Sequence, residues 1–376
     1  MSAIERHKCL QVNISTKNPF ELNLPKDGGV LKLSVIEPDK YGEGTTKESQ
    51  ELVRTVMLAH LIAPYMPEII ETNFGVTSTQ FLNELYRHYG FNPPKIKRSS
   101  EQIQPQLLTG DLHHQDIVDF ASAHSGGLDS AYRLAKLMEE KRGVVGVHIR
   151  NLNAKGNYSE AIASEKQCSE WEIPYKQIRL LNNSGNFGFD TMRTRDFLLA
   201  VLTALAVKPN QVKKIFIEGD MGTDPQKSHF SEYVGGWEIF NKLLKDVGLD
   251  MTVEGMDAGD IETVGEVIEL ERKLNIQIIP LIQNCFSSPF QIPNNRRKWE
   301  RETPTIAKSS SEHWCGSCLK CRRMTLGRIF YQDPRLSEIS EDEIDFFKKD
   351  TYIWMKKYPH SADLITPSFL NHLENL

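Results

Sequence analysis

Two short stretches hold residue types whose spacing could do chemistry. Residues 122–130 read SAHSGGLDS. Gly126 and Gly127 let a backbone come close to an anion, and one of them can take a positive φ at no steric penalty. Ser125 and Ser130 add hydroxyl donors, and Leu128 and Asp129 complete the stretch. Asp129 would repel a bare phosphate, but it suits a Mg²⁺ ion that bridges phosphate oxygens. No lysine stands in the stretch, so it is not the Gly-Lys-Ser/Thr loop of the P-loop enzymes. The second stretch is WCGSCLKCRR, which spaces Cys315, Cys318 and Cys321 as C-x2-C-x2-C, with Gly316 allowing a tight knuckle. Three thiolates so close can converge on one ion, and tetrahedral Zn²⁺ asks for a fourth ligand. Cys285, in QNCFSS, is the first candidate and His313 the fallback. Thiolates serve an iron–sulfur cluster as well as zinc, so the metal is open at this point. Four sulfurs would leave no open position, which predicts a structural centre. Cys9 and Cys168 stand apart and read as ordinary thiols.

A loop of the first kind needs a strand before it and a helix after it, so that unpaired amides at the helix N-terminus face the anion. VDFASAH reads as the strand. DSAYRLAKLMEEKRG reads as the helix, with Ala131, Leu134, Ala135 and Met138 on one face and Gly143 as its stop. Beyond it strand and helix patterns alternate: VVGVHIR, YSEAIASEKQCSEWEI, YKQIRLL, TRDFLLAVLTALAV, KKIFIEG, YVGGWEIFNKLLKDVGL and MTVEGM. That alternation predicts an α/β fold with a doubly wound parallel sheet. Upstream, KCLQVNI and GVLKLSVI read as strands, and ESQELVRTVMLAHLIAPYM and TSTQFLNELYRHYG as helices. Residues 91–106, FNPPKIKRSSEQIQPQ, read as a linker or long loop. IQIIPLI is strand-like and leads to Cys285. The expected division is an N-terminal α+β accessory domain over 1–112, a catalytic domain with the four-cysteine zinc knuckle over 113–340, and a helical tail over 341–376.

Composition narrows the classes. The chain has 376 residues and a formal net charge of −5, so no global field draws it to nucleic acid. The most apolar run, FLLAVLTALAV at 197–207, is too short to cross a bilayer, so no membrane partner is expected. MSAIERHKCL lacks the apolar run of an export signal, and a cytoplasmic location is expected. In that setting a crowd of cysteines points to metal binding rather than disulfides.

SGGLDS resembles the pyrophosphate loop of the ATP pyrophosphatases, which adenylate an oxygen and release pyrophosphate. The resemblance implies ATP and Mg²⁺ as cofactors and a role for Asp129 and Ser130 in catalysis. It places the adenine along VVGVHI, at Val147 and His148. Combined with a lone cysteine and then CG-x-C-x2-C-x-R, the pattern resembles the 7-cyano-7-deazaguanine synthase family over roughly residues 115–330. That family adenylates a deazaguanine carboxylate, forms an amide with ammonia and dehydrates it to a nitrile. Cys285, Cys315, Cys318 and Cys321 fall on its zinc ligands, and Arg195 on a basic residue that opens a helix. EGDMGTD falls on a loop beside the substrate, which makes Asp220 and Asp224 candidates. A planar base also needs aromatic walls, for which Phe187, Phe189, Phe230, Tyr233 and Trp237 are placed after sheet strands. Three departures stand out: over a hundred residues precede the loop, Thr263-Val264 stands where the family carries Thr-Lys, and the family's Tyr and Pro positions after the aspartate loop are poorly kept. Relatives with added N-terminal domains occur in bacterial antiviral defence operons, and the resemblance implies a protein amine as a second kind of acceptor. A homodimer is left open. Two other readings remain: a tRNA-modifying enzyme of the same superfamily, for which RRKWER at 296–301 offers a basic stretch, and a non-catalytic nucleotide-binding subunit of a defence complex.

Overall fold

The computed structural model describes residues 7–26, 29–38, 47–76, 79–99, 119–140, 143–153, 157–183, 194–207, 212–218, 230, 235–256, 261–283, 285, 291–362 and 365–376, and every structural statement below concerns these. In chain order the elements are β1 (Cys9–Ile14), β2 (Glu21–Lys26), β3 (Gly29–Val35), α1 (Lys47–Ile62), β4 (Ile69–Thr72), α2 (Thr79–His88), β5 (Lys95–Arg98), β6 (Phe120–Ala123), α3 (Leu128–Glu139), β7 (Val144–Asn151), α4 (Asn157–Glu170), β8 (Tyr175–Asn182), α5 (Arg195–Val207), β9 (Lys214–Glu218), α6 (Gly236–Asp246), β10 (Thr252–Met256), α7 (Glu262–Leu274), α8 (Ile292–Glu302), α9 (Pro304–Lys308), α10 (Leu319–Phe330), α11 (Glu341–Lys357), α12 (Pro359–Ala362) and α13 (Pro367–Glu374). The fold is α/β, as the alternating pattern predicts.

The chain groups into two compact units. One comprises residues 1–123, 143–158 and 174–256; the other comprises 124–142, 159–173 and 257–376. The first is built on a sheet with strand order β10-β9-β6-β7-β8-β3-β2-β1-β4-β5. From β10 to β8 every pair is parallel. β7 is buried on both faces, which is why its sequence is continuously apolar around His148. β6 lies between β7 and β9, so the strand order reverses there. In doubly wound sheets ligands gather at such a reversal, by the carboxyl ends of the strands. β6 ends at Ala123, and the second unit begins at His124. α5 is buried all round, the expected state of a helix apolar on every side.

The N-terminal strands continue this sheet. β3 pairs antiparallel with β8 through Leu33 and Asn182, Ser34 and Leu181, and Val35 and Leu180. β2 then pairs with β3 and β1, and β1 pairs in parallel with β4. Alternation is strict in β1, where Leu10, Val12 and Ile14 are buried. These side chains join a single core with Val147, Phe197 and Ile217. Within 91–106, read as linker, Lys95–Arg98 forms an edge strand beside β4, because the backbone of that short charged run finds an open sheet edge.

The second unit is helical. α3 packs on α7, α7 on α10, and α10 on α13. Gly327 and Gly265 allow the close approach of α7 and α10: a Cβ at Gly327 would meet Val264 at 2.6 Å, and one at Gly265 would meet the Tyr331 ring at 2.8 Å. IQIIPLI, read as strand-like, is instead a single 3-10 turn over Ile279–Leu281. The Glu271 carboxylate accepts the N–H groups of Ile278 and Ile279 at 2.6 and 2.9 Å, and Pro280 has no N–H to give a ladder. Arg335 grips the same carboxylate at 2.7 Å.

Candidate nucleotide loop and metal centre

The loop at 125–130 is compact and knitted by one hydroxyl. Ser130 Oγ accepts the Ser125 N–H at 3.2 Å and donates to the Gly127 carbonyl at 3.1 Å, while it is buried itself. The Gly127 N–H donates to Ser125 Oγ at 3.3 Å. Gly126 has φ +77°, and a Cβ there would lie 2.9 Å from both Ala163 Cβ and the Ser164 amide nitrogen of α4. Glycine is therefore required twice over, by conformation and by close approach. Gly127 is the N-cap of α3 and makes no side-chain cap bond, so the turn runs straight into the helix N-terminus. Asp129 is exposed in the first turn, where a carboxylate favours the helix dipole and could hold a cation at the loop. Leu128 is buried and anchors the turn.

Behind the loop, the Gly126 carbonyl accepts two hydrogen bonds, from the Gln283 N–H at 2.9 Å and from Gln167 Nε2 at 2.9 Å. Gln167 is fully buried on α4, and the same nitrogen donates to the Leu281 carbonyl at 2.8 Å. Neither glutamine stands out in the sequence: a lone Gln on a mixed helix reads as a solvated position, and Gln283 acts through its backbone N–H, which any residue but proline has.

The cysteine group forms as the spacing predicts. The ligand atoms of Cys285, Cys315, Cys318 and Cys321 all lie within 4.8 Å of one another. The sulfur separations are 3.9 Å for Cys318 and Cys285, 3.5 Å for Cys318 and Cys321, and 4.0 Å for Cys315 and Cys321. A tetrahedron with metal–sulfur bonds of about 2.3 Å sets sulfurs about 3.8 Å apart, so this group fits one ion. His313 is exposed and does not join them. Gly316 turns the knuckle at φ +75°, and a Cβ there would fall 2.2 Å from the Trp299 ring. The Cys318 N–H donates to Cys315 Sγ at 3.4 Å. Arg322 braces the knuckle: its Nε donates to the Ser317 carbonyl at 3.1 Å, and its Nη2 to Asp350 at 2.6 Å. Burial pushes the Cys321 thiol well above its ordinary value. The neighbouring Cys285 and Cys315 sulfurs, together with burial, raise Cys318. For Cys285, the Cys315 sulfur acts upward and Cys318 and Cys321 act downward, leaving it at about 7. A cation at the centre removes this conflict by drawing off all four protons. Cys9 is exposed and Cys168 is buried, its thiol pushed up to about 12 by burial; neither belongs to the group.

The other predicted residues divide. Val147 and His148 are buried at the middle of β7; the strand runs on to Asn151, so they do not stand at its end. Arg195 opens α5, and its Nε meets the Asp196 carboxylate at 2.8 Å. Trp237 packs on the core, its ring 5.0 Å from Phe197 and 5.9 Å from Phe240. Phe230 is fully buried among Phe81, Phe197 and His88. Phe187, Phe189, Asp220, Asp224 and Tyr233 lie outside the described residues. A groove of about 860 Å³ opens beside the knuckle, walled by Trp299, Trp354 and Tyr358 with Lys298, Arg322 and Lys357. It went unseen in the sequence because its walls come from α8, α10 and α11.

Among the described residues no helix is long and apolar enough to cross a membrane. No family model matches the chain, and no curated protein matches it. Among solved structures it is similar to the U34-tRNA thiolase NcsA from Methanococcus maripaludis with its [4Fe-4S] cluster, at 15% identity and a TM-score of 0.30, over 74% of this chain and 82% of that one.

Proposed function

We propose that this chain is an ATP pyrophosphatase that adenylates a carboxylate and passes the acyl group to an amine. One observation carries the reading: a glycine turn without lysine at an uncapped helix N-terminus, with Asp129 exposed beside it. In the proposed reaction a carboxylate oxygen attacks the α-phosphorus of ATP. The bond from that phosphorus to the bridging oxygen breaks, and pyrophosphate leaves with the electron pair. The loop amides and the Ser125 and Ser130 hydroxyls offer donors to the charge that grows on the leaving group. A Mg²⁺ ion at Asp129 would supply the charge neutralisation that lets the carboxylate and phosphates coexist. An amine nitrogen then attacks the acyl carbon, AMP leaves, and an amide remains.

The resemblance in SGGLDS and in the cysteine spacing supports a 7-deazaguanine carboxylate as the acid, with ammonia or a protein amine as acceptor and a role in antiviral defence. On the same ground Val147 and His148 serve the adenine, and Arg195, Phe187, Asp220, Asp224, Tyr233 and Trp237 serve the substrate. The sulfur spacing supports a single Zn²⁺ at Cys285, Cys315, Cys318 and Cys321, since a four-iron cube holds its thiolates farther apart than one ion does. The test is incubation with ATP, Mg²⁺ and 7-carboxy-7-deazaguanine, with mass spectrometry of small molecules and co-purified proteins. An amide or nitrile marks a small-molecule synthase, and a deazaguanine-sized adduct on a protein marks a conjugating enzyme. No pyrophosphate release with this acid rejects the substrate.

A tRNA-modifying reading has one observation in its favour, the groove beside the knuckle, where aromatic and basic side chains meet. tRNA binding that weakens steeply with salt would support it, and tRNA binding absent at low salt would remove it.

A further inference from the structure

We infer that the four-cysteine centre holds the phosphate loop in its ATP-binding shape, and that Gln167 is the positioning residue through which the two are coupled. The inference rests on the reading of residues 125–130 as an ATP loop.

In a trans peptide the N–H points opposite to the preceding carbonyl. The Gly126 carbonyl is turned inward by two donors, the Gln283 N–H and Gln167 Nε2, each at 2.9 Å. The Gly127 N–H must then point outward, toward Ser125 Oγ and the exposed side of the turn. Release of the carbonyl would let this peptide rotate, since the positive φ of Gly126 is only one of the conformations a glycine can hold.

Both donors are tied to the segment that ends at the metal centre. Gln167 Nε2 also donates to the Leu281 carbonyl at 2.8 Å, so one buried nitrogen bridges loop and segment. Trp314, next to Cys315, donates its Nε1 to the Ile282 carbonyl at 2.9 Å. Gln283 is two residues from Cys285, whose sulfur sits 3.9 Å from Cys318. At its other end the segment is fixed by the Glu271 carboxylate at Ile278 and Ile279. The stretch from Ile278 to Cys285 is thus fastened at both ends, and a bound metal would supply one fastening. If the bound loop demands this shape, ATP and metal must strengthen each other by the same factor.

The test uses the full metal-loaded chain. Metal release to a chromogenic chelator is timed with and without saturating Mg²⁺–ATP, and ATP binding is measured by calorimetry. The expected result is release slowed about five-fold or more by ATP. Gln167→Leu should keep its metal stoichiometry and its melting temperature within a few degrees, bind ATP about ten-fold more weakly, and lose most of the protection. Trp171→Phe is the control. It removes the bond from Trp171 Nε1, just past the end of the same helix, to the Gln277 carbonyl, and should leave protection intact. ATP that binds the wild type without slowing release overturns the coupling, whatever the variants do. Equal loss of protection in Trp171→Phe and Gln167→Leu reduces Gln167 to general packing and overturns its role. A wild type that binds no ATP at all removes the loop reading itself, and this inference with it.

Discussion

An exposed carboxylate in the first turn after a phosphate loop is tolerable only if a cation stands between them. Asp129→Ala should therefore lower pyrophosphate release about 100-fold or more, with a melting temperature within a few degrees of wild type. Near-normal turnover in a pyrophosphate-coupled assay would remove the loop from the mechanism. The shape of the turn was legible because its residues have local reasons: Gly126 for the positive φ and the close approach to α4, Ser125 and Ser130 for the hydrogen bonds that close it. What lies behind it was not legible, because Gln167 and Gln283 act through carbonyls distant in sequence. A second titratable group acts on stability. Burial pushes His60 down to about 4 from an ordinary 6.5, with its Nδ1 3.1 Å from Thr194 Oγ1. Below about pH 6.5 the unfolded chain takes up a proton that the fold refuses, so stability falls as pH drops toward 4. Between pH 7 and 5 this one group should remove about 2 kcal/mol. Urea midpoints of wild type and His60→Gln at the two pH values check it: the wild type should lose more, and equal losses would show that His60 is not the cause.

At the scale of elements, the three cysteines of the knuckle were readable from their C-x2-C-x2-C spacing, while the fourth position stood open between Cys285 and His313 until the fold brought Cys285 to the group. The segment that brings Cys285 in was misread as a strand. Its apolar run satisfies a strand pattern, yet Pro280 and the Glu271 carboxylate divert its amides from any ladder. Likewise Lys95–Arg98 lacks the apolar alternation of a strand and becomes one only because β4 leaves an open edge. Cys285→Ser should lose its stoichiometric metal and lower the melting temperature by several degrees, since ligand binding energy is also folding energy. Elemental analysis and thermal melts check both. Full metal content in that variant, or iron in the wild type, would contradict a closed zinc site.

At the scale of the molecule, the parallel half of the sheet followed from alternation, while the continuation through β3, β2, β1, β4 and β5 did not. Nothing local in GVLKLSV names YKQIRLLN as its partner; the antiparallel register between β3 and β8 is a long-range pairing. Removal of residues 1–112 should strip β8 of its neighbour and open the core that Leu10, Val12, Leu22 and Leu33 share with Val147 and Phe197. An exposed apolar edge of that kind aggregates, so the truncated chain should be insoluble or fail to melt cooperatively. A soluble, cooperatively melting fragment would make the N-terminal region a removable accessory. The proposed chemistry turns on one event, attack by a carboxylate oxygen on the α-phosphorus. ³¹P NMR and mass spectrometry of the nucleotide formed from unlabelled ATP and a carboxylate-¹⁸O acid read that event directly. The expected products are pyrophosphate and AMP carrying one ¹⁸O. Unlabelled AMP, or ADP with phosphate, would contradict that chemistry.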